Sequence, residues 1–278
     1  MVISQKKENK KYNKYYNGIC AQECGCHCFI DCAGRFFFFL SFFINFVAVK
    51  VSVIMRTVAI IVAGGSGTRF GAQLPKQFLE LGGKPILMRT IQAFDGGSMD
   101  IIVTLPVDQM ELWHELCQQY AFAVPHRVVH GGETRWHSVK NALDSISDPN
   151  CVDIIAVHDG VRPLASAALV GRVLAAARRD GAAIPVVALN DSVRQLVGDM
   201  SHALDRSSLR AVQTPQAFEA RLLLNAYSLP YEPTFTDDAS VVEKFGHHVT
   251  LVDGDPINLK ITRPMDLALA EYLINHDA

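Results

Sequence analysis

The chain has 278 residues, 49% of them hydrophobic and 19% charged, with a formal net charge of -2, which suits one large globular domain or two small ones. So even a balance lacks the basic excess needed along a phosphate backbone, so a nucleic acid is not an expected partner and any anion must be held by a local cluster. Cys20, Cys24, Cys26, Cys28 and Cys32 crowd near the N-terminus, leaving only Cys117 and Cys151 elsewhere; the main part of the chain therefore reads as reduced and cytoplasmic.

Residues 1–54 show neither helical nor strand periodicity: a basic polar opening over 6–16, the cysteine cluster, then an apolar run over 36–49. Against a secretory signal, about 35 residues precede the apolar run, more than an n-region holds. Against a membrane anchor, Ser41, Asn45 and Lys50 interrupt a run that should reach roughly 20 apolar residues. Against a zinc knot, the Cys-x3-Cys-x-Cys-x-Cys-x3-Cys spacing departs from paired ligands. The expectation is a domain over 55–278 that starts at Met55, preceded by a disordered extension or a mis-assigned gene start, with no membrane partner.

From Met55 onward apolar runs alternate with amphipathic stretches, the pattern of an α/β domain. Residues 58–63 read as a strand buried on both faces, running into Gly64-Gly65-Ser66-Gly67. Helices are predicted over 86–94, 109–120 and 134–146, separated by strands over 101–105 and 127–129. A buried strand over 154–157 leads into His158-Asp159-Gly160-Val161-Arg162-Pro163, then an Ala-rich helix over 167–179 and a strand over 182–188. Residues 190–210 alternate without a core face and are expected to project as a β-arm that needs a partner. The tail is predicted as a helix over 237–245, strands over 248–252 and 257–261, and a closing helix over 264–275.

The most informative stretch is Ala63-Gly64-Gly65-Ser66-Gly67-Thr68-Arg69-Phe70-Gly71, followed by Pro75-Lys76-Gln77. Glycines let a backbone turn tightly and bring N–H groups toward an anion, and ligands collect at open strand ends in α/β sheets. A Walker A loop is excluded because no Gly-Lys-Ser/Thr follows, and a dinucleotide fingerprint fits poorly because Phe70 stands where its third glycine belongs. Arg69 and Lys76 add two positive charges, which suits a triphosphate.

Further segments follow in order: Gly131-Gly132-Glu133-Thr134-Arg135-Trp136-His137-Ser138-Val139, the His158–Pro163 stretch, Thr214-Pro215-Gln216, Thr236-Asp237-Asp238-Ala239-Ser240 and Asn258-Leu259-Lys260-Ile261-Thr262. With the glycine loop they resemble the 2-C-methyl-D-erythritol 4-phosphate cytidylyltransferases of the non-mevalonate isoprenoid pathway. The resemblance runs from Met55 to the C-terminus and takes in none of residues 1–54. It implies a Rossmann-like three-layer α/β nucleotidyltransferase domain with a mostly parallel sheet and a projecting β-arm. The implied reaction joins CTP to a sugar-alcohol phosphate and releases pyrophosphate.

The resemblance also implies site roles. Arg69 and Lys76 match transition-state stabilisers, and Arg206 and Lys260 match positions that hold the acceptor phosphate. Arg206 and Ser192 would reach the neighbouring subunit's site in a homodimer joined through the arm; Ser192 stands where the family has threonine. Ala63, Gly64, Gly65, Ser66, Gly67, Gly132, Glu133, Arg135 and Ser138 match CTP-binding segments, and Asp159, Arg162 and Thr214 face the acceptor. Mg²⁺ follows from the triphosphate and is expected to bind mainly through its phosphates, so no residue is assigned to a metal. His158 is expected to pack, Asp237 and Asp238 to cap a helix, and Cys117 and Cys151 to sit in the core or at its boundary. Two rivals are a ribitol 5-phosphate or other alditol-phosphate cytidylyltransferase and, more distantly, a nicotinamide-binding oxidoreductase. Leu204-Asp205-Arg206 ahead of Gln213-Thr214-Pro215-Gln216 favours the methylerythritol acceptor over the first.

Overall fold

The computed structural model describes residues 28–30, 36–38, 56–64, 74–96 and 99–276. The chain divides into two units, Met1–Ile54 and Met55–Ala278. In the first, β1 (Cys28–Ile30) and β2 (Phe36–Phe38) pair antiparallel, with Phe29 opposite Phe37. Runs of three residues are too short for periodicity to reveal them. The alternatives weighed for the rest of that segment lie outside the described residues.

The second unit is built on an eight-stranded sheet. Its centre is β3 (Arg56–Val62), flanked by β6 (Met99–Leu105) and β8 (Val152–Asp159), with β7 (Arg127–His130) beyond β6, all parallel. On the other side of β8 lies β13 (Gln216–Glu219), antiparallel both to β8 and to β9 (Ala182–Ala188). β9 therefore runs with β8, and β14 (Thr250–Asp253) joins it in parallel, whereas β12 (Arg210–Val212) is antiparallel.

Alternation along β3 sorts its side chains into two cores. Ala59, Ile61 and Ala63 face one layer with α1 (Ile86–Gln92), α2 (Met110–Gln119) and α4 (Ala167–Asp180), through residues such as Leu87, Ile91, Trp113 and Val173. Val58 and Ile60 face the other, with α3 (Arg135–Asp144), α5 (Ala220–Ala226) and α6 (Asp238–Lys244). A strand covered by helices on both faces reads as a near-continuous apolar run, and in β3 only Arg56 is exposed. This is the expected three-layer, mostly parallel Rossmann-like domain. A small hairpin, β4 (Glu80–Leu81) and β5 (Lys84–Pro85), turns through Gly82 and Gly83 at φ 53° and 76°, the left-handed region that a type I′ turn demands. A closing helix α7 spans Pro264–His276. Among the described residues no helix is long and apolar enough to cross a membrane.

The arm forms as predicted: among the described residues β10 (Val193–Val197) and β11 (Met200–Leu204) pair only with each other, and Leu196 and Met200 are 78% and 65% exposed. Two expectations need correcting. Residues 257–261 are not a strand, because buried Asn258 spends its side chain on Thr214 O (2.8 Å) and the Ile261 N–H reaches Val161 O (2.9 Å) instead of a ladder. β13 and α5 went unpredicted, since four and seven residues give periodicity little to register and β13 is set by two flanking strands.

Candidate active site

Because β7, β6, β3 and β8 are parallel, their carboxyl ends share one edge. The chain leaves β3 toward β6 and β7 and returns on its other side as β8, so the crevice between β3 and β8 is a topological switch point. A cleft opens there, lined by Ala63 and Gly64 after β3, Gly132 to Arg135 and Ser138 after β7, Asp159 ending β8, Lys76, Gln77 and Lys260.

The wall after β7 is fixed by its own hydrogen bonds. Gly131 N–H donates to Leu105 O (2.7 Å), and Thr134 caps α3 by accepting from His137 N–H (3.3 Å). Ser138 Oγ accepts from Gly132 N–H and donates to Thr134 O, both at 3.0 Å. Its hydroxyl therefore shapes the turn, and what the turn offers a ligand is backbone. A Cβ on Gly132 would lie 2.3 Å from His137 Cβ, so only glycine fits. Gly160 is similarly constrained, since a Cβ there would meet Ala63 Cβ at 2.9 Å where β8 passes close to β3.

Asp159 is the electrostatic centre. Its carboxylate receives Lys260 Nζ at 2.9 Å, Arg162 Nε at 3.3 Å and Arg135 Nε at 3.6 Å. Burial alone would raise its pKa, but Arg135, Lys260 and Arg162 outweigh burial and hold the group well below the usual carboxylate range. Burial depresses the pKa of Arg162, offset in part by Asp159, and its Nη1 donates to Asn258 O at 2.7 Å. For Arg135 burial again opposes the charge, yet Asp238 and Asp159 more than compensate and raise its pKa. Arg135 Nη2 meets Asp238 Oδ2 at 2.6 Å, and Asp238 Oδ1 accepts from Tyr227 OH at 2.7 Å.

Asp237 caps α6 in a capping box with Ser240. Asp238 does not: it is the fully buried partner of Arg135, because the first helical residue points inward and its N–H is taken by Gln216 Oε1 at 3.0 Å. His158 is fully buried against Phe94. Its Nε2 faces Arg162 O (3.1 Å) and its Nδ1 faces Thr214 Oγ1 (2.9 Å). A carbonyl only accepts, so Nε2 carries the proton and Nδ1 accepts from the Thr214 hydroxyl, which in turn accepts from Asp159 N–H (3.1 Å). Burial brings the His158 pKa down to about 4, leaving the ring neutral near pH 7.

The structure thus gathers Ala63, Gly64, Lys76, Gly132, Glu133, Arg135, Ser138, Asp159 and Lys260 along one cleft, with Arg162 directly behind Asp159. Thr214 sits behind it too, its hydroxyl and carbonyl committed to His158, Asp159 and Asn258. Ser192 and Arg206 belong to the arm region and are not in the cleft lining that the described residues form; the Arg206 guanidinium donates to Asn190 O. Gly65, Ser66, Gly67 and Arg69 lie outside the described residues. Cys151 is exposed rather than packed, its Sγ donating to Asp148 Oδ2 at 3.0 Å, and Cys117 is half-buried. Gln213, Gln216 and Asn258 escaped notice as supports; they stand within or beside quoted motifs, but neutral amides give no charge signal.

Cations gathered at a switch point of parallel strands, beside a glycine turn that presents backbone to a ligand, make the site of a nucleotidyltransferase on a Rossmann-like sheet. The family model for IspD, 2-C-methyl-D-erythritol 4-phosphate cytidylyltransferase, matches residues 57–276, and the chain belongs to that family. It is 48% identical over 222 residues to the enzyme of that name from Phocaeicola vulgatus, covering 79% of this chain and all of that one. The Geobacillus kaustophilus enzyme of the same name is 37% identical over 225 residues, 79% of this chain and 97% of that one. Among solved structures, the Thermus thermophilus 2-C-methyl-D-erythritol 4-phosphate cytidylyltransferase superposes with a TM-score of 0.62 at 34% identity, covering 80% and 99% of the two chains. The 4-diphosphocytidyl-2C-methyl-D-erythritol synthase of Anaerococcus prevotii gives 0.67 at 28% identity, covering 80% and 100%.

Proposed function

We infer that the chain transfers CMP from CTP to 2-C-methyl-D-erythritol 4-phosphate, yielding 4-diphosphocytidyl-2-C-methyl-D-erythritol and pyrophosphate in non-mevalonate isoprenoid precursor synthesis. The observation that carries this reading is the convergence of Lys76, Arg135 and Lys260 on one switch-point cleft within a domain matched throughout by the family. An acceptor phosphate oxygen attacks the α-phosphorus of CTP in line; the new P–O bond forms as the bond to pyrophosphate breaks. The attacking phosphate is already ionised near neutral pH, so no general base is required. A neutral His158 with both ring nitrogens occupied supports that economy.

Charge building on the α-phosphate and on departing pyrophosphate falls to Lys76 and Arg69. Lys260 and Arg206 hold the acceptor phosphate, and Asp159, steadied by Arg162 and Thr214, takes its hydroxyls. The turn at Gly132 and Ser138, with Ala63 and Gly64 opposite, reads cytosine through backbone groups and leaves little room for a purine. Glu133 and Arg135 complete the nucleotide side. Mg²⁺ would enter on the triphosphate and share its charge. Glu133 and Asp159 are the carboxylates of the lining among the described residues, and hard oxygen ligands of that kind fit Mg²⁺.

The test is pyrophosphate release from CTP and Mg²⁺ with 2-C-methyl-D-erythritol 4-phosphate, ribitol 5-phosphate or no acceptor. Release with the first alone is expected. Release with ribitol 5-phosphate alone keeps the chemistry and replaces the acceptor, and silence with both overturns the reading.

The working form is a cytoplasmic homodimer joined through the arm. The arm's exposed Leu196 and Met200 support this. Mixing inactive Arg206→Ala and Lys76→Ala subunits should restore up to half of wild-type turnover per hybrid dimer, since one of the two sites then holds both native residues. No recovery in confirmed hybrids would show that each chain completes its own site.

A further inference from the structure

The turn that carries Lys76 is braced by a side chain for which the reaction as described has no use. Gln77 is 1% exposed, and its Nε2 donates one hydrogen to Ala63 O at 2.9 Å and the other to Gln109 Oε1 at 2.6 Å. Ala63 is itself tied into the sheet, its N–H bound to Thr104 O at 3.0 Å, and Gln109 closes the short turn Val107–Gln109 ahead of α2. A primary amide presents two hydrogens from one nitrogen, so it can bridge two acceptors that neither a carboxylate nor an apolar chain can serve. The turn itself, Lys76–Phe78, is a single 3₁₀ turn, held internally by Phe78 N–H to Pro75 O (2.9 Å) and Leu79 N–H to Lys76 O (3.2 Å). Hydrogen bonds of that geometry are weak, and Phe78, stacked 6.0 Å from Trp113, anchors the turn to the helical layer rather than to the strand end.

We propose that Gln77 is a positioning residue for nucleotidyl transfer. Its forked amide locks the Lys76 turn to the carboxyl end of β3, so that Lys76 keeps a fixed station relative to a nucleotide seated over Ala63 and Gly64. The proposal rests on the assignment of Lys76 as a transition-state cation. A cation needed mainly in the transition state loses kcat rather than KM when it is displaced, and a shift of about 1 Å can cost about a hundredfold.

The experiment is a double-mutant cycle on the full chain, with CTP, Mg²⁺ and 2-C-methyl-D-erythritol 4-phosphate. Gln77→Met keeps length and volume and deletes both donors. It should lower kcat about 30-fold while leaving both KM values within about threefold. In a Lys76→Ala background the same change should cost less than about twofold more, because the cation it positions is gone. A single variant with kcat within about twofold of wild type overturns the proposal, as does an equal fractional loss in both backgrounds. If Gln77→Met fails to fold, Gln109→Leu removes one acceptor of the fork. A kcat loss of about threefold that vanishes without Lys76 supports the role, and an unchanged kcat overturns it. Lys76→Ala alone separates the two ideas: full turnover there defeats the Lys76 assignment, and the proposal with it, whatever Gln77 does.

Discussion

Lys76→Ala should reduce kcat by a factor of about 10²–10³ and leave folding untouched, a loss of roughly 3–4 kcal/mol of transition-state stabilisation. Lys76 is half-buried on the cleft wall and belongs to none of the three buried apolar clusters, so its removal takes charge from the reaction without opening the core. KM for CTP should move less than kcat, since a cation aimed at charge that develops during transfer adds little to ground-state binding. Arg69→Ala carries the same expectation from its place in the glycine loop. Steady-state kinetics beside a urea titration decide the matter. Near-normal turnover, or a kinetic loss tracked by an equal fall in folded protein, would remove Lys76 from the chemistry.

Asp159→Ala should damage stability and activity together. The carboxylate neutralises Arg162, which is buried and has Asn258 O as its other described polar partner, and it contributes to holding Arg135 and Lys260. Stripping one member from a buried ion pair costs about 3–5 kcal/mol, because the remaining charge is stranded. The low end of that range is expected, since Arg135 keeps Asp238 and Lys260 is partly exposed. The vacated cluster should then welcome an external anion. Pyrophosphate at about 100 times its Kd would return roughly 2.7 kcal/mol to a protein that binds it only when folded. Urea midpoints with and without pyrophosphate give the answer: a variant as stable as wild type, or one that pyrophosphate helps no more than wild type, contradicts this account of the site.

Much of this was legible in the amino-acid order, and for physical reasons. β3 shows itself because a strand covered on both faces carries a continuous apolar run, here 58–62, and the arm because its alternation finds no core. The glycines at 64 and 132 and the charges at 76, 135, 159 and 260 stand in motifs whose spacing survives folding. What stayed hidden depends on tertiary partners. Asp238 reads as a helix cap until Arg135 arrives from 103 residues away. The hydrogen bonds that tie the Thr214 hydroxyl to His158 and Asp159 likewise join residues 56 and 55 positions apart. Gln77, Gln216 and Asn258 carry no charge, so only their buried hydrogen bonds reveal them. Residues 257–261 have the apolar content of a strand, yet Asn258 trades ladder hydrogen bonds for a place beneath the cleft.

The position of β13 bears on how the chain is born. Ribosomal synthesis delivers β3, β6, β7, β8 and β9 in that order, but β8 and β9 never touch as neighbours: the gap between them waits for residues 216–219. Until then neither β8 nor β9 has its ladder partner on that side, and non-local pairings of this kind are slow to form. Closure therefore requires a strand made after most of the domain, residues 216–219 of 55–278. The same strand that completes the sheet draws Thr214 up to His158 and Asp159, so the cleft becomes whole only when the sheet does.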